Sequence, residues 1–350
     1  MRLTRYFLVV LGLLIGGPAL AHDPAGPQTI ELHSADRVSP NIYVVHSPHG
    51  LPNKANYGFI NNPAFIVAKD GVIVVDPGGS LQVGAELVRK IRKATDKPVI
   101  AILNTHIHGD HWLGNDGVRR AFPQAAIYAN PRMVDRMKFG EGERWLERFK
   151  QMTEGAIAGT RVVAPTIGVG DGEILNLGGL NFRFHHFKAH TDTDIMIEVM
   201  SDKALFLGDI VTYRTVPSRN QPQDAYYKGQ LEATRTATQF PVKLYIPGHG
   251  PTGDRSLVLE SLRLQEKLYS AVTKYFGQGL SDFEMKEPIQ RELAEYKDWN
   301  GLDALGQVIN RIYLEIESDS FQARNNEDRE TCSTDEVCTL AGHKPVREDL

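Results

Sequence analysis

The sequence predicts an α/β fold with a helical extension toward its C-terminal end, on three observations. β-Branched runs alternate with helix-forming stretches through the first half of the chain. Several of those runs stop at a histidine or an aspartate, which places chemistry at strand ends. From Asp254 onward the apolar spacing is helical, through Leu257, Leu262, Leu268 and Val272 and later Leu305, Val308, Ile309 and Ile312.

The elements follow in order. Ile42-Tyr43-Val44-Val45 reads as a strand, and a polar loop rich in Gly, Pro and Asn carries the chain to Tyr57. Ala64 to Val67 and Val72 to Val75 flank Lys69-Asp70-Gly71, a hairpin signal. Val83, Leu87 and Ile91, four apart, share one face of a helix expected from Leu81 to Ala94. Val99 to Leu103 is a strand, followed by a helix from Gly117 to Ala121 and a short strand from Ala126 to Tyr128. Arg132 to Glu154 reads as one charged helical stretch. Hairpins are expected from Glu173 to Phe187, across Gly178-Gly179, and from Ile195 to Phe206, across Ser201-Asp202. Leu231 to Gln239 is helical and Leu244-Tyr245-Ile246 is a strand.

The first residues bound the setting. Arg2 and Arg5 precede an apolar run from Tyr6 to Ile15 and the small residues Ala19-Leu20-Ala21, a signal-peptide pattern with cleavage expected before His22. The run is too short to span a bilayer comfortably, so a periplasmic or secreted protein with no stable membrane insertion after cleavage is expected. Loss of the two arginines takes the net charge from −4 to −6, which argues against a nucleic-acid partner. The division expected is 1–21 signal peptide, 22–252 catalytic domain, 253–324 helical extension and 325–350 polar, mobile tail. Cys332 and Cys338 are the two cysteines; an oxidising compartment permits a disulfide between them, which spacing alone neither requires nor forbids.

The chemistry concentrates in Asn104-Thr105-His106-Ile107-His108-Gly109-Asp110-His111-Trp112, four potential metal ligands within six residues after a strand. His106 and His108, at i and i+2 in extended backbone, point the same way and can share a cation. Gly109 is read as a hinge that turns Asp110 and His111 toward a second cation. Loops are rarely so dense in imidazole, and buried imidazoles need partners. His190, Asp209 in Leu207-Gly208-Asp209, and His249 in Gly248-His249-Gly250 each end a strand; singly bland, they complete the set together. Asp76, also at a strand end, is expected to orient the ligand loop through hydrogen bonds.

On these residues, over roughly Ile42 to Thr252, the chain resembles the metallo-β-lactamase superfamily. The resemblance implies a four-layer αβ/βα sandwich of two sheets between outer helices, with metals at one sheet edge. It implies that His106, His108 and His190 hold one zinc, that Asp110, His111 and His249 hold a second, and that Asp209 bridges them. The ligand types also suit iron or manganese. Two close cations acidify a shared water, and the resulting hydroxide attacks an ester, thioester or lactone carbonyl. The candidate catalytic side chains are Asp110 and Tyr213; the latter, four residues past Asp209, could donate to a developing oxyanion or simply pack in its loop.

The resemblance does not fix the substrate, beyond a small molecule. In the lactamases most similar in layout a cysteine stands where this chain has Asp209 and a lysine where it has Thr212, so efficient β-lactam hydrolysis is not expected. The whole chain also resembles periplasmic zinc metallohydrolases associated with quinoprotein dehydrogenase systems and sulfur oxidation, the SoxH-like group. The alternatives are a mononuclear iron redox enzyme similar to persulfide dioxygenases, a weak β-lactamase, and a non-catalytic periplasmic accessory protein. The loops His46 to Tyr57 and Tyr213 to Tyr227 are candidate substrate walls. His185 and His186 read as structural, His33, His46 and His49 as isolated, and His22 as a weak copper-binding candidate at a mature N-terminus. Oligomeric state is left open.

Overall fold

A computed structural model describes residues 30, 31, 33–216 and 226–334. Two sheets face each other. The first has seven strands in chain order: β1 (Asp36–Arg37), β2 (Ile42–Val44), β3 (Ala64–Val67), β4 (Val72–Val75), β5 (Val99–Leu103), β6 (Ala126–Ala129) and β7 (Ile167–Gly168). The second runs in the order β12 (Leu244–Pro247), β11 (Ala204–Gly208), β10 (Asp194–Val199), β9 (Leu180–Phe187) and β8 (Ile174–Leu177).

Strand periodicity explains the layering. Ala64, Ile66, Ile73, Val75, Ala101 and Leu103 point inward and meet Phe182, Phe184, Ile195, Ile197 and Phe206 of the second sheet in one buried cluster. Their neighbours Phe65, Val72, Val74 and Ile102 point outward, onto Val83, Leu87, Val88 and Ile91 of helix α1 (Leu81–Ala94). A strand buried on both faces therefore reads as a continuous apolar run, as Val72–Val75 does. Ser80 caps α1 by accepting from the Val83 amide, and Arg92 and Lys93 sit in its last turn, favourable for the helix dipole. On the far side, Met196, Leu205, Leu207 and Tyr245 pack on Ala233 and Ala237 of α6 (Tyr227–Ala237) and on Leu257 and Val258 of α7 (Arg255–Gly277). The result is the four-layer sandwich with a helical extension.

Topology then gathers the strand ends. β4, β5, β6 and β7 run parallel, and so do β11 and β12. Asp76 and the His106 loop thus leave one edge of the first sheet, while Asp209 and His249 leave the matching edge of the second. His190 lies at that edge too, in the connection between antiparallel β9 and β10. Backbone bonds tie the two edges: Ile195 N donates to Thr105 O at 2.9 Å and Asn62 N to Gly248 O at 2.7 Å, while Gly248 N donates within the second sheet to Gly208 O at 2.7 Å.

Several expectations are corrected. His106 and Ile107 lie in a bend rather than in extended backbone, although the two imidazoles still converge. Gly109 is not a left-handed hinge: it opens a one-turn helix, α2 (Gly109–Trp112), and a Cβ there would lie 3.1 Å from the Phe149 ring, so its smallness serves packing. Helix α3 (Asn115–Ala121) follows. The Arg132 to Glu154 stretch is two helices, α4 (Pro131–Lys138) and α5 (Glu141–Met152), broken at Gly140 with φ +83°. Helices α7, α8 (Asp282–Glu292) and α9 (Leu305–Thr334) enclose a cluster of their own, with Leu268, Val272, Ile289, Val308 and Ile312. Helix α9 runs to Thr334, past the Asn325 at which a polar tail was expected to begin. The signal peptide, His22, the Cys332–Cys338 question and positions 335–350 concern residues or side chains outside the description. No helix among the described residues is long and apolar enough to cross a membrane.

Candidate metal centre

The site begins with Asp76. Directly after β4 it takes φ +47°, and from there its carboxylate accepts Thr105 N at 2.8 Å and Thr105 Oγ1 at 2.6 Å. The same carboxylate takes the Nδ1 proton of His111 at 2.8 Å. Because the Thr105 hydroxyl donates to Asp76, it can only accept from His106 Nδ1, 3.1 Å away. His249 donates through Nδ1 to Ile60 O at 2.6 Å. Three imidazoles thus have Nδ1 committed to an acceptor, which leaves each Nε2 as the atom that can be offered to a cation.

Those free nitrogens face one another. His106, His108, His190 and Asp209 bring ligand atoms within 4.8 Å of one another, and Asp110, His111 and His249 form a second such group. Asp209 stands between the groups, 3.6 Å from His190 Nε2, 3.3 Å from His111 Nε2 and 3.1 Å from His249 Nε2. Asp110 lies 3.2 Å from His249 Nε2. His106 and His111 are fully buried, and Nε2 of His106, His108 and His111 and Oδ1 of Asp209 have no hydrogen-bond partner. Buried polar atoms are seldom left unsatisfied. A Cβ on Gly248 would lie 2.2 Å from Asp209 Oδ1 and 2.8 Å from His111 Cε1, so the backbone itself walls the site.

The electrostatics divide the groups. Burial, reinforced by neighbouring imidazoles, holds His106 and His108 well below the ordinary histidine value, and burial lowers His190. Burial opposes the charged forms of the other group too, but the mutual attraction of His111 and His249 with Asp110 and Asp209 outweighs it. Asp110 and Asp209 fall well below the carboxylate range, His111 rises well above its usual value, and His249 rises to about 10.

A cavity of about 170 Å³ opens onto this centre. His108, Asp110, His190, Asp209 and His249 form its polar floor, and Leu51, Pro52, Ile60, Phe149, Met152 and Val216 its apolar sides. Of the seven ligand candidates, the structure brings all into the two groups. Tyr213 it does not bring to the cavity: the ring packs beside Gly250 in the outer cluster of the second sheet, under the Arg214 guanidinium at 5.4 Å, and Thr212 and Thr215 line the cavity instead. His185 pairs with Glu198 at 3.3 Å, away from the centre. His46 is not isolated, since it contacts Asp36 and Thr252 Oγ1, and His49 lines the cavity. The part of the second candidate loop at 217–225 is outside the description.

Sequence reasoning missed the α5 face of Trp145, Arg148, Phe149 and Met152, whose i, i+3, i+4, i+7 spacing was readable. It missed Ile60, which acts through a carbonyl and so leaves no side-chain signal.

Fold and centre together define the class: a two-sheet α/β sandwich with histidine and aspartate donors gathered into two groups at one sheet edge. The family model of the metallo-beta-lactamase superfamily matches residues 56–249, and the chain belongs to that superfamily. Among curated relatives it is 21% identical to the linear primary-alkylsulfatase of Pseudomonas sp., over 64% of this chain and 49% of the relative. It is 28% identical to the hydroxyacylglutathione hydrolase of Francisella tularensis subsp. holarctica, over 43% of this chain and 49% of the relative. The chain thus spans about half the length of these relatives. Among solved structures, a metallo-beta-lactamase from Pontibacter korlensis superposes with a TM-score of 0.54 at 19% identity, over 67% of this chain and 99% of that one. The inverting sec-alkylsulfatase Pisa1 from Pseudomonas sp. superposes with a TM-score of 0.60 at 16% identity, over 81% of this chain and 50% of that one.

Proposed function

We propose that this chain is a dinuclear zinc hydrolase of an ester, thioester or lactone, working outside the cytoplasm after loss of residues 1–21. One observation carries the reading: buried ligand atoms with no partner converge, while the far nitrogens of His106, His111 and His249 are already engaged. His106, His108 and His190 would hold one cation, Asp110, His111 and His249 the other, and Asp209 both. Bound there, a pair of cations lowers the pKa of a shared water and polarises the scissile carbonyl. Zinc fits this nitrogen and oxygen donor set, as iron or manganese also would.

The chain's own groups supply the rest. Asp110 lines the cavity and can take the proton that the attacking water releases. Thr212 and Thr215 stand where Tyr213 was expected to act, and the Thr212 hydroxyl can face a developing oxyanion. Leu51, Pro52, Phe149 and Met152 exclude water from the scissile bond.

A second reading, cleavage of an alkyl sulfate ester, is favoured by the likeness to the primary-alkylsulfatase, which covers 64% of the chain. Elemental analysis of the purified protein, with assays on thioester, lactone, carboxylic ester, alkyl sulfate, phosphodiester and β-lactam substrates, tests both. Two zincs per chain with turnover of a carboxylic ester class supports the first reading; turnover of the sulfate alone supports the second. One iron and no hydrolysis overturns both in favour of redox chemistry.

A further inference from the structure

We propose that Arg148 gives this cavity a preference for substrates that carry an anionic group at a distance from the scissile bond, joined to it by an apolar body. The inference rests on the hydrolase reading of the same site and adds a substrate class to it.

The geometry runs along α5. Phe149 is buried against the ligand loop, close enough to Gly109 that a Cβ there would lie 3.1 Å from its ring. That contact fixes the helix relative to the metal centre. One turn earlier, Trp145 reaches the centre itself, its ring centroid 4.8 Å from that of His108. Its indole Nε1 is buried and has no hydrogen-bond partner. Arg148 completes the face, with its guanidinium carbon 5.1 Å from the Trp145 ring centroid. The indole therefore touches a candidate ligand and the cation in turn, and an anion at Arg148 sits an indole away from the reacting bond.

Charge supplies the second argument. Apart from the histidines of the centre and His49, Arg148 is the cation among the cavity's lining residues. No carboxylate pairs with it among the described residues, although the other arginines of this helical region do pair: Arg136 and Arg132 with Asp192, and Arg144 with Glu141. An arginine laid on an aromatic face, with its donors uncommitted, is built to bind a carboxylate or another oxyanion. Leu51, Pro52, Met152 and Val216 supply the apolar surface for the body between the two ends.

The experiment compares binding and turnover in the metal-loaded full chain. Octanoate and octanol are titrated into wild type, Arg148→Met and Arg148→Lys with tryptophan fluorescence as readout. Butyrate and hemisuccinate esters of one phenol are assayed in parallel. Wild type is expected to bind octanoate more tightly than octanol and to favour the hemisuccinate through KM. Arg148→Met is expected to lose about ten-fold in both anionic preferences while leaving octanol and the butyrate ester unchanged, and Arg148→Lys to restore part. Equal losses on charged and neutral ligands, or octanoate binding untouched in Arg148→Met because its carboxylate sits on the metals, overturns the proposal. Octanoate preference lost in Arg148→Met, with neither these esters nor the thioester, lactone and alkyl sulfate substrates cleaved by any form, leaves Arg148 as the anion site and defeats the hydrolase reading alone.

Discussion

Asp76 holds His111 by its Nδ1 at 2.8 Å and Thr105 by its hydroxyl at 2.6 Å, through the same carboxylate oxygen. Through Thr105 it also sets the tautomer of His106, so one residue that touches no substrate orients an imidazole in each half of the centre. Asp76→Asn keeps a side chain tolerant of φ +47° but loses an acceptor. It is expected to weaken metal retention and lower kcat/KM by about 10–100-fold with the circular dichroism spectrum unchanged. Full zinc occupancy after dialysis against a weak chelator would show that the orientation is dispensable.

Asp110 and Asp209 are not equivalent. Asp110 faces His111 and His249, whereas Asp209 reaches His190 as well. Asp110→Ala should leave one tightly held cation and little activity, and Asp209→Ala should impair both sites. Both variants should fold, since these carboxylates lie in the metal centre and outside the apolar clusters. Two metals retained in Asp110→Ala would defeat the assignment of the second site.

Much of this was legible. The bounds of α1, β3, β4 and β5 follow from caps, hairpin residues and apolar period, and the ligand loop announced itself by density of histidine. What was illegible acts through the backbone or through three-dimensional neighbours. β1 and β7 are two-residue strands with no period to read. Tyr213 was placed near the centre on sequence distance from Asp209, but the chain turns, and the ring packs against Gly250. Gly109 looked like a hinge because glycine permits one; its role is to admit Phe149.

Protons and metal should compete unequally for the two halves. His106, His108 and His190 are held low and present free lone pairs at neutral pH, while His111 and His249 are held high by the carboxylates. Filling the second site at pH 7 is therefore expected to release about two protons and the first almost none, read by calorimetry in buffers of different ionisation enthalpy. The sign for stability follows. A histidine raised in the folded state contributes stability that is fully present below its unfolded value near 6.5 and is lost as pH rises through its folded value, about 10 for His249. Metal-free protein should lose stability between those limits, and zinc should abolish the slope; a flat profile without metal would contradict it.

Gly248 tests the packing of the centre without removing a ligand. An added Cβ would meet Asp209 Oδ1 at 2.2 Å and His111 Cε1 at 2.8 Å, and Gly248 O accepts the Asn62 amide that links the sheets. The neighbours here are two buried ligand side chains, and His111 is held in place by Asp76 at 2.8 Å, so the ring cannot yield cheaply. Gly248→Ala should cost about 1–3 kcal/mol of stability from overpacking and most metal affinity. Normal zinc content and melting temperature in that variant would mean that the loop can shift aside.

Glu315 connects the helical extension to the cavity. From α9 it accepts the amides of Tyr227 at 2.6 Å and Lys228 at 3.0 Å, capping the start of α6, and Gln230 one turn on lines the cavity. Asn300 pairs with the other end of the same connection, accepting Val216 N at 2.8 Å and donating to Arg214 O at 2.9 Å. The extension thus grips both ends of the chain segment that follows Asp209, and Val216 and Gln230 are cavity residues as a consequence. Losing a helix cap costs about 1 kcal/mol. Glu315→Ala should show that loss by denaturant titration and should raise KM with kcat little changed, because the wall shifts while the metal ligands stay. A lowered kcat at unchanged KM would place the effect of the extension on the chemistry instead.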